Sequence, residues 1–220
     1  MKKWLVVFLI LFAMLPVNAV QQLQFEGFIA DEANLLSREV KQNLNMTLLD
    51  LQNKSGADIA VVTLPSLNGQ SVEDAALEIG RKYKVGSRTK LNGVVFLTVM
   101  SERKMRIELG TGLENKIKME TIERIRDNDI LPYYRNYDYR DGITRGTYLL
   151  IDTVADVEGV SVDKYGTCPS KKSGSEGVPL WCYLIAAILA PFSGRRRRTG
   201  SFGGFGGGGS FGGCGCSGSW

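Results

Sequence analysis

The chain holds no histidine, and that absence removes much of the chemistry side chains perform near neutral pH. Ser-His and Cys-His nucleophiles are excluded, as are histidine-ligated zinc sites. Carboxylate, thiol and glycine-loop chemistry remain. Gly110-Thr111-Gly112 could bring backbone close to a phosphate. It lacks the strand-to-helix Gly-x-Gly-x-x-Gly setting and the lysine and hydroxyl of a P-loop, so a hairpin exit needing φ > 0 accounts for it better. Cys214-Gly215-Cys216 could bind metal or carry a lipid, but two thiols do not fill a metal site. No contiguous loop has the acidic spacing of an EF-hand, so a hard cation would need carboxylates brought together from separate loops. A phosphatase built from this set would need a metal-activated water.

Those loops must be positioned by the elements between them. Ser37 can cap a helix to about Lys54, with Val40, Leu44, Leu48 and Leu51 on one face, and Gly56 ends it. Asp58 to Leu64 is almost wholly apolar and β-branched, as a strand buried on both faces is. Ser71 and Asp74 resemble a capping box opening a second helix, with Ala75, Ala76, Ile79 and Tyr83 inward. Gly93–Met100 and Met105–Leu109, joined by Ser101-Glu102-Arg103-Lys104, predict an antiparallel hairpin. Helix resumes around Met119–Arg126, breaks near Pro132, and ends in a segment of about Tyr139–Val157. Strands buried between helices predict an α/β sandwich with its sites on the loops at the strand ends.

From Val20 to Glu158 there are 18 basic and 21 acidic residues, so the net positive charge of the chain lies outside this stretch. A nucleic-acid-binding domain would concentrate its basic residues on the folded part, and no nucleic-acid partner is expected. All four cysteines (Cys168, Cys182, Cys214 and Cys216) lie outside the stretch as well. Its fold therefore needs no disulfide.

Several pieces of the folded stretch, in order, resemble the TPM domain family. They are Asp31-Glu32-Ala33-Asn34-Leu35-Leu36-Ser37, Gly56-Ala57-Asp58-Ile59-Ala60-Val61-Val62, Asn92-Gly93-Val94-Val95-Phe96-Leu97, Arg103 to Glu114 with its Gly-Thr-Gly-Leu-Glu, and Ile130-Leu131-Pro132 followed by Tyr137-Asp138. The resemblance implies a three-layer α/β/α sandwich around a small mixed sheet, with an acidic groove that binds calcium or another divalent cation. Within it Asp31 and Glu114 match the family motifs. Glu120 stands in for an aspartate that members often carry a few residues later, where this chain has Lys118-Met119-Glu120. A second departure is Leu91-Asn92-Gly93 in place of Asp-Asn-Gly. Some plant members are reported as weak acid phosphatases and others as accessory factors for membrane complexes, so the resemblance implies an accessory role with a metal-dependent phosphatase as the alternative. A membrane protein complex is the implied partner.

Outside the domain, Lys2 and Lys3, the apolar run Trp4–Leu15 and Val17-Asn18-Ala19 have the three parts of a secretory signal. The expected organisation is a signal peptide at 1–19, the domain at 25–158, a linker at 159–177, a membrane anchor at 178–193, and an Arg run with a disordered Gly-rich tail at 194–220. The uncharged run from Val178 to Phe192 would reach only about 22 Å as a helix, against a hydrocarbon core of about 30 Å. Trp181 and Tyr183 at one end and Arg195–Arg198 past the other argue for a crossing, and the signal peptide, domain, anchor and Gly-rich tail layout that the resemblance implies tips the expectation to a short spanning helix, with the domain outside and the tail cytoplasmic.

Overall fold

A computed structural model describes residues 23–171 and 205–220. The signal-like segment 1–19 and the apolar run 178–193 lie outside the described residues. None of the described helices is long and apolar enough to cross a membrane.

Five strands form one mixed sheet in sequence order. Strands β1 (Ile29–Asp31), β2 (Asp58–Leu64) and β3 (Gly93–Val99) run parallel; β4 (Lys104–Gly110) and β5 (Phe211–Ser219) continue it antiparallel. Every residue of β2 and β3 is buried, because helices cover both faces. Ile59, Val61, Val94 and Phe96 point into one core, shared with Leu44, Leu48 and Leu51 of α1 (Arg38–Ser55) and with Ile143 and Leu150 of a long C-terminal helix. Ala60, Val62, Val95 and Leu97 point into the other, shared with Ala75, Ala76 and Ile79 of α2 (Val72–Lys82). A strand covered on both sides has no solvent face to alternate with, which is why these segments read as continuous apolar runs.

The helix boundaries follow from their caps. Ser37 accepts the Val40 amide at 3.4 Å, and Gly56 closes α1 in the left-handed region at φ 74°. Ser71 accepts the Asp74 amide at 3.0 Å and donates to the Asp74 carboxylate at 2.7 Å.

After the hairpin the chain forms α3 (Thr111–Glu114), α4 (Met119–Ile125), a π-helical segment (Arg126–Ile130), α5 (Leu131–Arg135) and α6 (Tyr139–Glu158). Pro132 does not break a helix. It sits in the first turn of α5, where its missing N–H leaves no bond unmade. The irregularity falls one step earlier, in the π segment. There the Asp-x-Asp pair Asp127 and Asp129 is held by Arg126 at 2.7 Å and Arg145 at 2.6 Å.

The expectation of a disordered tail is overturned for residues 205–220. They are ordered, and Phe211–Ser219 is the fifth strand, paired along β4 from Lys104 opposite Ser219 to Gly110 opposite Phe211. Composition misled because glycine lowers intrinsic order, whereas here glycines let the backbone lie against the domain. A Cβ at Gly212 would stand 2.7 Å from a Glu114 oxygen, and one at Gly218 would stand 2.9 Å from Arg126.

Candidate functional site

The register separates the sequence-derived site residues. Asp31 pairs with Thr63, and Thr63 with Thr98, at the carboxyl ends of the parallel strands. Glu114 follows β4, whose end pairs with the start of β3: Val94 lies opposite Leu109. Asp31 and Glu114 therefore sit at opposite ends of the sheet, about 20 Å apart along a seven-residue strand, and do not converge on one groove. Glu120 is exposed on the first turn of α4.

At the Asp31 end both carboxylate oxygens have hydrogen-bond partners. Oδ1 accepts the Leu35 amide at 2.9 Å and the Thr63 hydroxyl at 2.6 Å, while Oδ2 accepts the Leu36 amide at 3.0 Å. These bonds fold the turn that leads into α1. Nearby Glu102 holds Ser66 and the Leu67 amide through one oxygen, leaving the other buried without a partner. It is a lone carboxylate.

The opposite end differs. Glu108, fully buried on β4, is bound through Oε2 to Arg106 at 2.9 and 2.7 Å, while its Oε1 is buried with no partner. Oε1 of Glu114 is also buried and unpartnered, as is the side-chain amide nitrogen of Asn92. Burial pushes the Glu108 carboxyl above its ordinary range. Arg106 and the Gly213 backbone pull it back, and the neighbouring Glu114 charge adds to the rise. The C-terminal strand roofs the pair: a Cβ on Gly212 would meet Glu114, and one on Gly215 would meet Glu108 Oε2 at 2.5 Å.

Asp58, at the same end, ties the tail to the domain. It accepts the amides of Gly86 at 2.9 Å and Gly206 at 2.6 Å and the Gln52 side chain at 2.8 Å. Desolvation raises its pKa and those bonds oppose the rise.

The two thiols of the roof are not poised as thiolates. Burial pushes Cys216 up to about 11 and raises Cys214 too, with Glu114 and Glu108 adding to the latter. Among the described residues no group of three or more Cys, Asp or Glu is arranged to hold a metal. Two carboxylates with orphaned oxygens fit part of a hard-cation shell, to be completed by backbone oxygens and water.

Glu108 was the residue that sequence reasoning missed. Its alternation within Met105–Leu109 reads as a solvent-facing position, because the strand that buries it lies about a hundred residues further on. Asn45-Met46-Thr47 has the Asn-x-Thr spacing of a glycosylation site, but its asparagine is structural. Asn45 is buried, accepts the Phe28 amide at 2.9 Å and donates to the Glu26 carbonyl at 2.7 Å.

Comparison with known proteins gives the domain its relatives. The chain is similar to the solved N-terminal domain of a protein from P. gingivalis, at 28% identity and a TM-score of 0.55, over 64% of this chain and 94% of that one. It also matches a protein from the psychrophilic bacterium Bizionia argentinensis, at 15% identity and a TM-score of 0.48, over 63% and 90% of the two chains. No curated protein matches it. The model of the TPM domain matches residues 29–153, from β1 into α6 and so across the whole frame that carries Glu108 and Glu114, and the chain belongs to the TPM domain family.

Proposed function

We propose that this protein works outside the cytoplasm as a divalent-cation-binding accessory factor for membrane protein complexes, with the cation held by Glu108 and Glu114. The observation that carries this reading is the pair of buried, unpartnered carboxylate oxygens at one end of the sheet. A buried carboxylate oxygen without a donor costs stability, and a second carboxylate beside it adds repulsion. A hard cation relieves both.

Calcium is the favoured ion, since it accepts irregular oxygen shells that mix carboxylates, carbonyls and water. The two carboxylates would supply the negative charge, and Arg106 would hold Glu108 in place. Asp31 is left with a structural role in this reading. The C-terminal strand shares the domain's sheet, which speaks against the expected cytoplasmic tail and supports placing domain and strand together on the extracytoplasmic side.

The test is a melting curve of the full chain with calcium, magnesium or manganese at millimolar levels. Binding to the folded state alone raises Tm by mass action, and the rise grows with concentration over Kd. Glu114→Gln should blunt it. No rise with any of the three ions would refute the reading. The alternative, a metal-dependent acid phosphatase, would use the same carboxylates to hold a water-activating ion. Chelator-sensitive hydrolysis of a phosphomonoester, lost in Glu114→Gln, would favour it.

A further inference from the structure

The C-terminal strand is held as a ligand is held, by its backbone and by three aromatic plugs. Phe211, 3% exposed, lies over Gly80 and Gly93, where a Cβ would stand 2.5 and 3.0 Å from its ring. Trp220 packs edge-on against Tyr134 at 4.6 Å and tilted against Tyr139 at 5.9 Å. Phe205 stands edge-on to Phe25 at 4.9 Å and Phe28 at 5.6 Å.

Between the plugs, arginines of the domain reach the strand's carbonyls. Arg81 donates to Phe211 at 2.9 Å, Arg126 to Ser217 at 2.9 Å, and Arg106 to Gly213 at 3.2 Å. Glu73 accepts the Ser217 hydroxyl at 2.5 Å. Residues 205–220 carry no charged side chain, so the recognition is of backbone, glycine and aromatic rings. This is strand addition to a sheet edge, in which main-chain bonds give affinity and side-chain sockets give specificity.

The strand adds little to the apolar core. Of the buried apolar residues, the strand supplies only Phe211 and Cys216, and the family match ends at residue 153. Glycine loses more conformational freedom on ordering than any other residue, so a strand this rich in it binds against a large entropic cost. The contacts named here run from residues 205–220 to residues 25–139. None of them depends on strand and domain belonging to the same molecule.

We propose that the β4 edge, flanked by α2 and α4, is a peptide-binding groove. Its ligand is an extended, uncharged, glycine-rich strand of the pattern Phe-x5-Phe-x8-Trp, and the groove takes that strand from a second copy of this chain as well as from its own.

The test uses the full chain with a specific protease site inserted between residues 172 and 204, cut after folding, and a dye-labelled synthetic peptide of residues 205–220. The cut chain should bind the peptide saturably, with unlabelled peptide competing, whereas the uncut chain should bind far less. Peptides carrying Trp220→Ala or Phe211→Ala should bind about tenfold more weakly or worse. Uncut chain should associate as its concentration rises in sedimentation runs, and excess peptide should dissolve the association. If the cut chain never exchanges its strand, or loses cooperative unfolding when the strand leaves, the strand is an integral element and the groove is no receptor. Equal binding of the aromatic variants would overturn the specificity. A chain that exchanges peptide but stays monomeric at every concentration would overturn the second copy as occupant.

Discussion

Asp31 at one end of the sheet and the Glu108 and Glu114 pair at the other do opposite things, although Glu102, at the Asp31 end, also keeps a buried oxygen without a partner. At one end Asp31 accepts three hydrogen bonds, and its charge is absorbed in shaping the turn into α1. At the other, Glu108 and Glu114 each keep a buried oxygen without a donor, and Arg106 is the ion-pair partner of Glu108. A matched motif residue is a candidate ligand only if the fold leaves it something to bind with. Bonds from two backbone amides and a hydroxyl are structural chemistry. An orphaned oxygen is an open valence.

Removing Asp31 should give the largest effect. Asp31→Ala leaves the Leu35 and Leu36 amides and the Thr63 hydroxyl without their acceptor, at a cost of about 2–4 kcal/mol. In a domain of this size that lowers Tm by roughly 6–12 °C. Any cation-induced rise in Tm should survive on the lowered baseline. If Asp31→Ala instead abolished the cation response while leaving the metal-free Tm unchanged, the contrast between the two ends would be reversed.

Glu114→Gln should act in the other direction and more weakly. Without cation it removes a like charge beside Glu108, so stability should rise by about 1 kcal/mol at neutral pH, and the response to calcium should shrink. The sign can be followed with pH. Glu108 has a raised pKa in the folded protein, so the stability it contributes is full below its unfolded value and is lost as pH rises through the folded one. Glu114 deepens that loss. The advantage of Glu114→Gln over the natural chain should therefore be absent near pH 4 and grow as pH rises through the raised Glu108 value. A constant difference across that window would show that the two carboxylates are not coupled.

Most of the frame was legible because it is local. The α1 and α2 caps, the apolar strands and the hairpin all follow from residues within a few positions of one another. The separation of Asp31 from Glu114 was not legible. It depends on β4 running back along β3, which carries the Gly-Thr-Gly-Leu-Glu motif to the far end of the sheet. Glu108 and the C-terminal strand were hidden for a related reason, each being explained only by the other. A charged residue alternating on a hairpin looks solvated, and a Gly/Phe tail looks unstructured, until the tail is laid along the hairpin. Phe205, Phe211 and Trp220, spaced through an otherwise small-residue segment, were the signal that could have revealed it.

The smallest effect belongs to Glu120, which stands in for an aspartate common in the family. Its side chain is exposed on the first turn of α4, where a negative charge gains only a few tenths of a kcal/mol from the backbone dipoles of so short a helix. Glu120→Gln should therefore move Tm by no more than about 0.5 kcal/mol equivalent and leave the calcium-induced rise at its full size. The measurement is the same melting titration, run beside Glu114→Gln, so that one exposed and one partly buried glutamate are compared under identical conditions. A calcium response lost in Glu120→Gln and retained in Glu114→Gln would move the site to the start of α4. It would also mean that burial and hydrogen-bond satisfaction, which separate Asp31 from Glu108 and Glu114, do not select the ligands here.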